Sequence, residues 1–232
     1  MPKGRPRSCA LDETVFDQIT PTSARWIGFL FADGSILDDR LGARRLAVNL
    51  AERDRDHLEK LRSFLGSTHT IGELRHRERK IRTSTLQPSR SASFRVRSEK
   101  LVNCLEKYGM AKHKPDRVPR LGLYRSSAFW AGTVDADGSI GNTLIRGHLY
   151  AEISLCGHEP LLRAFQGFLH KKGITLQLGR TSSGIWKIHT TGRHARQLIE
   201  LFYTDESAIS AGLQRKVERA HAILRNEPAA AY

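Results

Sequence analysis

The stretch Trp26-Ile27-Gly28-Phe29-Leu30-Phe31-Ala32-Asp33-Gly34-Ser35-Ile36 returns as Trp130-Ala131-Gly132-Thr133-Val134-Asp135-Ala136-Asp137-Gly138-Ser139-Ile140. One chain of 232 residues thus carries an apolar helix ending in Ala-Asp-Gly-Ser-Ile twice. A repeat at that separation constrains the chain to two like halves. Within each copy small residues stand four apart: Gly28 and Ala32, then Gly132 and Ala136. That spacing opens a groove on one side of a helix, so two such helices can pack with their backbones close, each filling the other's groove. Asp33 and Asp137 then arrive at the same end of the pair. Two adjacent carboxylates repel, each pKa rises, and a divalent cation relieves the repulsion. An Asp at a helix C-terminus is also disfavoured by the helix dipole, a local cost met at functional sites. A single Ala-Asp-Gly-Ser is an ordinary helix-to-turn signal; two copies, each with the same groove and aromatic start, favour chemistry.

The flanks repeat as well. A strand-like alternation follows each motif, Arg44–Leu50 and Leu149–Leu155, after a polar turn. A helix comes next in each half, with Leu58, Leu61 and Leu65 in the first and Leu162, Phe165 and Leu169 in the second at helical spacing. Asp54 is the expected N-cap of the first of these, Pro160 suits the first turn of the second, and Gly66 and Gly173 stop them. Two more strands are expected in each half, about Thr70–Arg77 and Ser93–Arg97, then Thr175–Thr181 and Gly184–Thr190. A long turn, Glu78–Arg90, separates the first two. Helices over Glu99–Tyr108, Arg193–Tyr203 and Ser207–Leu224 complete the halves. The fold class is therefore α+β: two pseudo-symmetric halves, each an antiparallel sheet with helices on one face. The expected units are a basic flexible arm over 1–19, half-domains over 20–119 and 120–226, and a tail over 227–232.

The other face of each sheet is left open, and its side chains follow from alternation. Phe94 and Val96 turn inward, so Arg95 and Arg97 turn outward; Trp186 and Ile188 turn inward, so Lys187 and His189 turn outward. Arg45, Asn49, Tyr150 and Ser154 are outward in the first strands. The segment Arg75–Arg97 carries Arg75, Arg77, Arg79, Lys80, Arg82, Arg90, Arg95 and Arg97 against one acid, Glu78. A basic two-stranded ribbon fits the DNA major groove. Arg146, His148, Gln177 and Arg180 join the expected DNA-facing set in the second half.

Charge points the same way. The chain holds 38 Lys+Arg against 24 Asp+Glu, a net charge of +14, which favours a polyanion. Charge alone leaves nucleic acid and an anionic membrane open. No apolar run approaches the roughly 20 residues of a membrane helix, and the basic start is not followed by an apolar signal core. Cys9, Cys104 and Cys156 show no zinc or disulfide spacing, so an intracellular, non-secreted protein is expected. No phosphate loop, dinucleotide fingerprint or nucleophile triad is present.

At the two motifs the chain resembles the LAGLIDADG homing endonucleases in their single-chain, two-motif form. Against that nine-residue pattern the copies read WIGFLFADG and WAGTVDADG. The resemblance covers about Thr20–Leu224 and implies a saddle of two sheets on a long, partly palindromic double-stranded DNA site. It implies a monomer with internal pseudo-twofold symmetry. The activity it implies is metal-dependent hydrolysis of both strands, leaving 3′ overhangs. It implies that Asp33 and Asp137, the eighth motif positions, bind Mg²⁺ (or Mn²⁺), joined by the backbone carbonyls of Ala32 and Ala136. It further implies one lysine per half near the scissile phosphates; Lys114 and Lys216 are chosen, with Lys112 and Arg215 as rivals. The copies depart from the pattern at the sixth position, Phe31 and Asp135, and at the fourth, Thr133. Near the N-terminus, Arg5 and Arg7 flank Pro6 as in an AT-hook, whose arginines enter a narrow minor groove. The competing reading is a non-cleaving nucleic-acid binder on the same fold, a transcription regulator or an RNA intron maturase.

Overall fold

The computed structural model of the chain describes residues 9–38, 42–76, 79–81, 84–86 and 89–226. The first motif forms helix α1 (Pro21–Asp33). Thr20 closes its start: its hydroxyl accepts from the Ser23 amide at 3.1 Å while the Thr20 amide donates to Ser23 Oγ at 2.8 Å. Pro21 adds a preset first turn. Ser23 to Ala32 are buried without interruption, apolar apart from Ser23 and Arg25.

The chain then runs through β1 (Gly34–Asp38), β2 (Arg44–Ala51), α2 (Arg55–Phe64), β3 (Gly72–His76), β4 (Arg79–Ile81), β5 (Ser84–Leu86), β6 (Ser89–Arg97) and α3 (Glu99–Lys107). The second motif forms α4 (Ser127–Asp137), capped by Ser126, whose hydroxyl accepts from the Phe129 amide at 3.2 Å. After it come β7 (Gly138–Ile145), β8 (His148–Gly157), α5 (Glu159–Lys171), β9 (Leu178–Arg180), β10 (Trp186–Thr191), α6 (Gly192–Tyr203), α7 (Glu206–Ile209) and α8 (Gln214–Leu224).

Two four-stranded antiparallel sheets result, ordered β1-β2-β6-β3 and β7-β8-β10-β9. The orders correspond strand for strand. Helices cover one face of each: Leu46, Val48, Phe94 and Val96 are buried on the first, Ile153, Leu155 and Ile188 on the second.

Four local expectations are corrected. The sheets start earlier than expected: Gly-Ser-Ile, ahead of the expected polar turn, opens strands β1 and β7 directly. The long turn between β3 and β6 holds its own two-stranded ribbon, β4 with β5. Asp54 stands at the N-cap of α2 without capping it, because its carboxylate is taken by Arg215. The helix expected over Ser207–Leu224 is two, broken at Ser210–Leu213. The arm is also shorter than its sequence suggested. Asp12 donates its amide to the Leu65 carbonyl at 2.9 Å, and Phe16 is fully buried against Phe64, so residues from 10 onward pack on the first sheet's helices.

The halves meet through α1 and α4. A Cβ on Gly28 would lie 1.9 Å from the Phe129 carbonyl oxygen, and one on Gly132 would lie 1.9 Å from that of Arg25. Each glycine admits the other helix's backbone, as the small-residue grooves required. Thr133 fits the same seam by donating its hydroxyl back to the Phe129 carbonyl at 3.0 Å. Three polar contacts flank it: Arg215 grips Asp54 through two nitrogens at 2.7 and 3.1 Å, Lys60 Nζ donates to the Gly212 carbonyl, and the Thr22 hydroxyl donates to that of Ser207.

Candidate functional site

Both motif helices end in Asp-Gly and turn at once into the first strand of their sheet. Neither glycine supplies a left-handed residue: φ is −73° at Gly34 and −95° at Gly138. What they supply is room. A Cβ would meet the Leu30 carbonyl oxygen at 2.5 Å and the Val134 carbonyl oxygen at 2.6 Å. This tight exit sets Asp33 and Asp137 at the junction of helix pair and sheets. Asp33 is half-buried and Asp137 exposed. Burial first, and then the neighbouring Asp137 carboxylate, pushes the Asp33 carboxyl up to about 6, against the pull of Lys114 and Lys216. The Asp137 carboxylate thus acts on Asp33.

A buried cation braces each helix end. Lys216, on α8, is 1% exposed and donates to the carbonyls of Val134, Asp135 and Gly138 at 2.7, 2.6 and 2.7 Å. Arg117 plays the matching part in the first half. It is also 1% exposed, and donates to Phe31 and Gly34 carbonyls at 2.6 and 2.9 Å and to Leu30 at 3.4 Å. The acceptors correspond one for one along the repeat. Each cation sits where the helix dipole is negative. Burial lowers Lys216 to about 8 and Arg117 to about 10.

Lys216, expected near the scissile phosphates, is instead buried against the end of α4. Lys114 is exposed beside the site, within electrostatic reach of Asp33, while the buried counterpart of Lys216 is Arg117, which the sequence reading missed. The rivals are occupied elsewhere: Lys112 pairs with Asp38 at 2.7 Å and Arg215 with Asp54.

The open faces follow the strand register. In the first sheet Arg45 stands opposite Arg97, Ala47 opposite Arg95 and Asn49 opposite Ser93, alternating with the core residues as expected. In the second, Lys187 stands opposite Cys156, His189 opposite Ser154 and Tyr150 opposite Thr143. Arg146, with φ 51°, and Gly147, with φ 82°, turn β7 into β8, leaving Arg146 and His148 exposed at the tip. Gln177 is exposed just before β9. His189 Nε2 lies 3.0 Å from Glu152 Oε1.

Two residues of the set turn the other way. Arg180 pairs with Trp186 across β9–β10 and lays its guanidinium 5.7 Å over the Trp186 ring, on the helix side. Arg75 shares the side of Glu73, opposite core residue Ala92, and donates to Glu73 at 2.9 Å. Both are exposed at the rim, but neither points from the open face. Arg79 and Lys80 stand in β4. Arg5, Arg7, Arg77 and Arg82 lie outside the described residues.

No family model and no curated protein sequence matches the chain. Solved structures do match. The I-SmaMI LAGLIDADG homing endonuclease bound to cleaved DNA is 15% identical with a TM-score of 0.56, over 90% of this chain and 91% of that one. The LAGLIDADG meganuclease I-AabMI bound to uncleaved DNA is 13% identical with a TM-score of 0.55, over 90% and 92%. I-SmaMI bound to uncleaved DNA in the presence of calcium ions is 16% identical with a TM-score of 0.54, over 90% and 93%. The chain has the LAGLIDADG homing endonuclease fold.

On this LAGLIDADG fold the sixth motif positions depart from one another. Phe31 packs edge-on against Phe129 with ring centroids 5.1 Å apart. Asp135 is 1% exposed and accepts from Arg25 Nε at 2.9 Å and from the Tyr203 hydroxyl at 2.8 Å. Among the described residues no group of three or more His, Cys, Asp or Glu side chains could hold a metal. No described helix is long and apolar enough to cross a membrane.

Proposed function

We propose that the chain is a site-specific DNA endonuclease that hydrolyses both strands of a long, partly palindromic duplex with the help of divalent cations. The observation that carries this reading is the meeting of Asp33 and Asp137 at the root of one helix pair, with the Asp33 carboxyl raised by burial and by its neighbour. The donor set fits Mg²⁺ or Mn²⁺, hard ions that take a few protein oxygens and leave other positions to water and phosphate. Asp33 and Asp137 would hold the ion, together with the carbonyls of Ala32 and Ala136. The bracing cations take carbonyls on either side of these, those of Phe31 and Gly34 and of Asp135 and Gly138. A bound ion supplies an activated water and stabilises the leaving 3′ oxygen.

The chain's own residues place and hold the DNA. Arg45, Asn49, Arg95 and Arg97 on one open face, and Arg146, His148, Lys187 and His189 on the other, meet phosphates and base edges. Arg79 and Lys80, in β4, belong to the same proposed DNA-contacting set. Lys114, exposed near Asp33, is the cation placed to meet a phosphate. Arg117 and Lys216 hold the helix ends that carry the acids. The working units are two half-domains, about 20–119 and 120–226, in one monomer, and cleavage leaves 3′ overhangs.

The test is selection from a randomised duplex library. The purified chain is incubated with the library and Mg²⁺ or Mn²⁺, and cut ends are sequenced. The expected result is one long, imperfectly palindromic cut site. Retention of particular duplexes with no cutting under either ion would overturn cleavage and leave a binding protein.

A further inference from the structure

The repeat makes Arg25 the counterpart of Phe129, and Phe31 the counterpart of Asp135. The Arg25–Asp135 contact is therefore the pseudo-twofold image of the Phe129–Phe31 contact. One side of the α1–α4 seam carries a fully buried ion pair; the other carries two aromatic rings in the same places. The ion pair is embedded further. Arg25 Nη1 donates to the Phe202 carbonyl at 3.1 Å, the guanidinium lies 4.9 Å over the Tyr203 ring, and Tyr203 donates to Asp135.

We infer that this exchange of an ion pair for an aromatic pair is a pairing code: the face of α1 fits α4 of this chain and rejects a second α1, and the face of α4 rejects a second α4. Two copies of α1 would set Arg25 against Phe31 twice, a buried guanidinium with no carboxylate. Two copies of α4 would set Asp135 against Phe129 twice, a buried carboxylate with no guanidinium. Removing one partner of a buried ion pair is strongly unfavourable, because the remaining charge stays out of water. The glycine grooves cannot discriminate in this way. Gly28 and Gly132 offer the same clearance on both helices, so without the charge exchange either helix could pack on its own copy. Specificity comes from the unpaired charge that wrong partners would bury. The code keeps two unlike halves together, and does so whatever reaction the site performs.

The test keeps the whole chain and then frees its halves to choose. A protease site is inserted between Leu121 and Gly122, where Leu121 is 70% exposed and insertion is tolerated. The folded protein is cut, unfolded in urea and refolded by dilution, and native mass spectrometry counts the complexes. The code predicts first-with-second pairs almost alone. In the double variant Arg25→Phe/Asp135→Phe, which makes both sides of the seam aromatic, pairs of like halves should rise at least about ten-fold. Like-with-like pairs making up roughly half of the complexes of the parent protein, the random result, would overturn the code. So would a double variant no less selective than the parent.

The intact chain gives an independent reading by urea unfolding. Arg25→Phe and Asp135→Phe should each lower the midpoint, and the double variant should regain most of the loss. Additive losses in the double variant would overturn the code even if the cut halves failed to refold.

Discussion

His57 is a base sealed where it cannot be charged. Its ring lies 4.7 Å from Trp26 and 4.4 Å from Phe29, centroid to centroid, and neither ring nitrogen has a hydrogen-bond partner. Burial lowers its pKa to about 4. The unfolded chain takes up that proton near 6.5, so it binds more protons than the native state between the two values, and stability falls as pH drops through that window. The loss attributable to His57 is on the order of 3 kcal/mol by pH 4. His57→Met should remove that part of the slope: the gap in unfolding free energy between variant and parent should move in the variant's favour as pH falls from 6.5 to 4. A gap independent of pH would contradict the burial argument. The bracing cations give a second prediction. Lys216→Met leaves three buried carbonyls without their donor, at about 1–3 kcal/mol. Urea unfolding should show that loss, and cleavage should fall by more than DNA binding. Equal cleavage in Lys216→Met and the parent would show that the brace does not position Asp137. At this scale legibility was uneven. Asp33 and Asp137 stand out because the repeat marks them, whereas Lys216 is singled out only through the family resemblance. Arg117 could not be read, because the segments after the last helix differ in length between halves, and motif spacing lands on Lys112 instead.

At the level of elements, the seam between α1 and α4 carries the architecture. Its closeness depends on two missing side chains. Gly28→Ala or Gly132→Ala would force a methyl onto a backbone carbonyl of the facing helix, and each should cost about 3 kcal/mol or more by overpacking. Gly167→Ala is the contrast: nothing lies within 4 Å of a Cβ there, on α5, and helix propensity favours alanine by about 1 kcal/mol. Thermal unfolding of the three variants checks both signs. Helices and strands with a strict apolar period were legible, β2, β8 and β10 among them. Breaks imposed by packing were not. The apolar period runs on through Ala208, Ala211, Val217 and Ala220, yet the helix stops at Ile209 and restarts at Gln214; within the break, a Cβ on Gly212 would meet Val217 Cγ2 at 2.7 Å and Arg25 Nη2 at 2.9 Å. The strand character of Gly-Ser-Ile is likewise hidden at the end of the motif, since it comes from pairing with Val48, Ala47 and Leu46 in one half and Leu155, Ser154 and Ile153 in the other.

Across the whole molecule, the two open faces and the net charge of +14 determine how the proposed nuclease would meet a duplex. Binding that neutralises phosphates releases counterions, so affinity should fall by about a thousand-fold or more between roughly 50 and 200 mM salt if six or more phosphates are engaged. Arg95→Ala and Lys187→Ala, on opposite sheets, should each weaken binding; Arg180→Ala, whose guanidinium is stacked on the helix side, should change it less. Fluorescence anisotropy on one labelled duplex tests all of these, and an affinity indifferent to salt would contradict a phosphate-tracking surface. The doubling, the fold class and the basic faces were legible in sequence because each recurs. The asymmetry of the seam was half legible: Phe31 and Asp135 stood out, but their partners Phe129 and Arg25 emerge only once the helices are packed. In the proposed mechanism Asp33 and Asp137 serve one metal-dependent site. On the duplex selected by the chain, with Mg²⁺ or Mn²⁺ present, strand scission by the parent, Asp33→Asn and Asp137→Asn is the direct measurement. The parent should cut both strands, and either substitution should abolish the double-strand break while leaving much of the binding. Double-strand cutting at the parent's rate by either variant would contradict it.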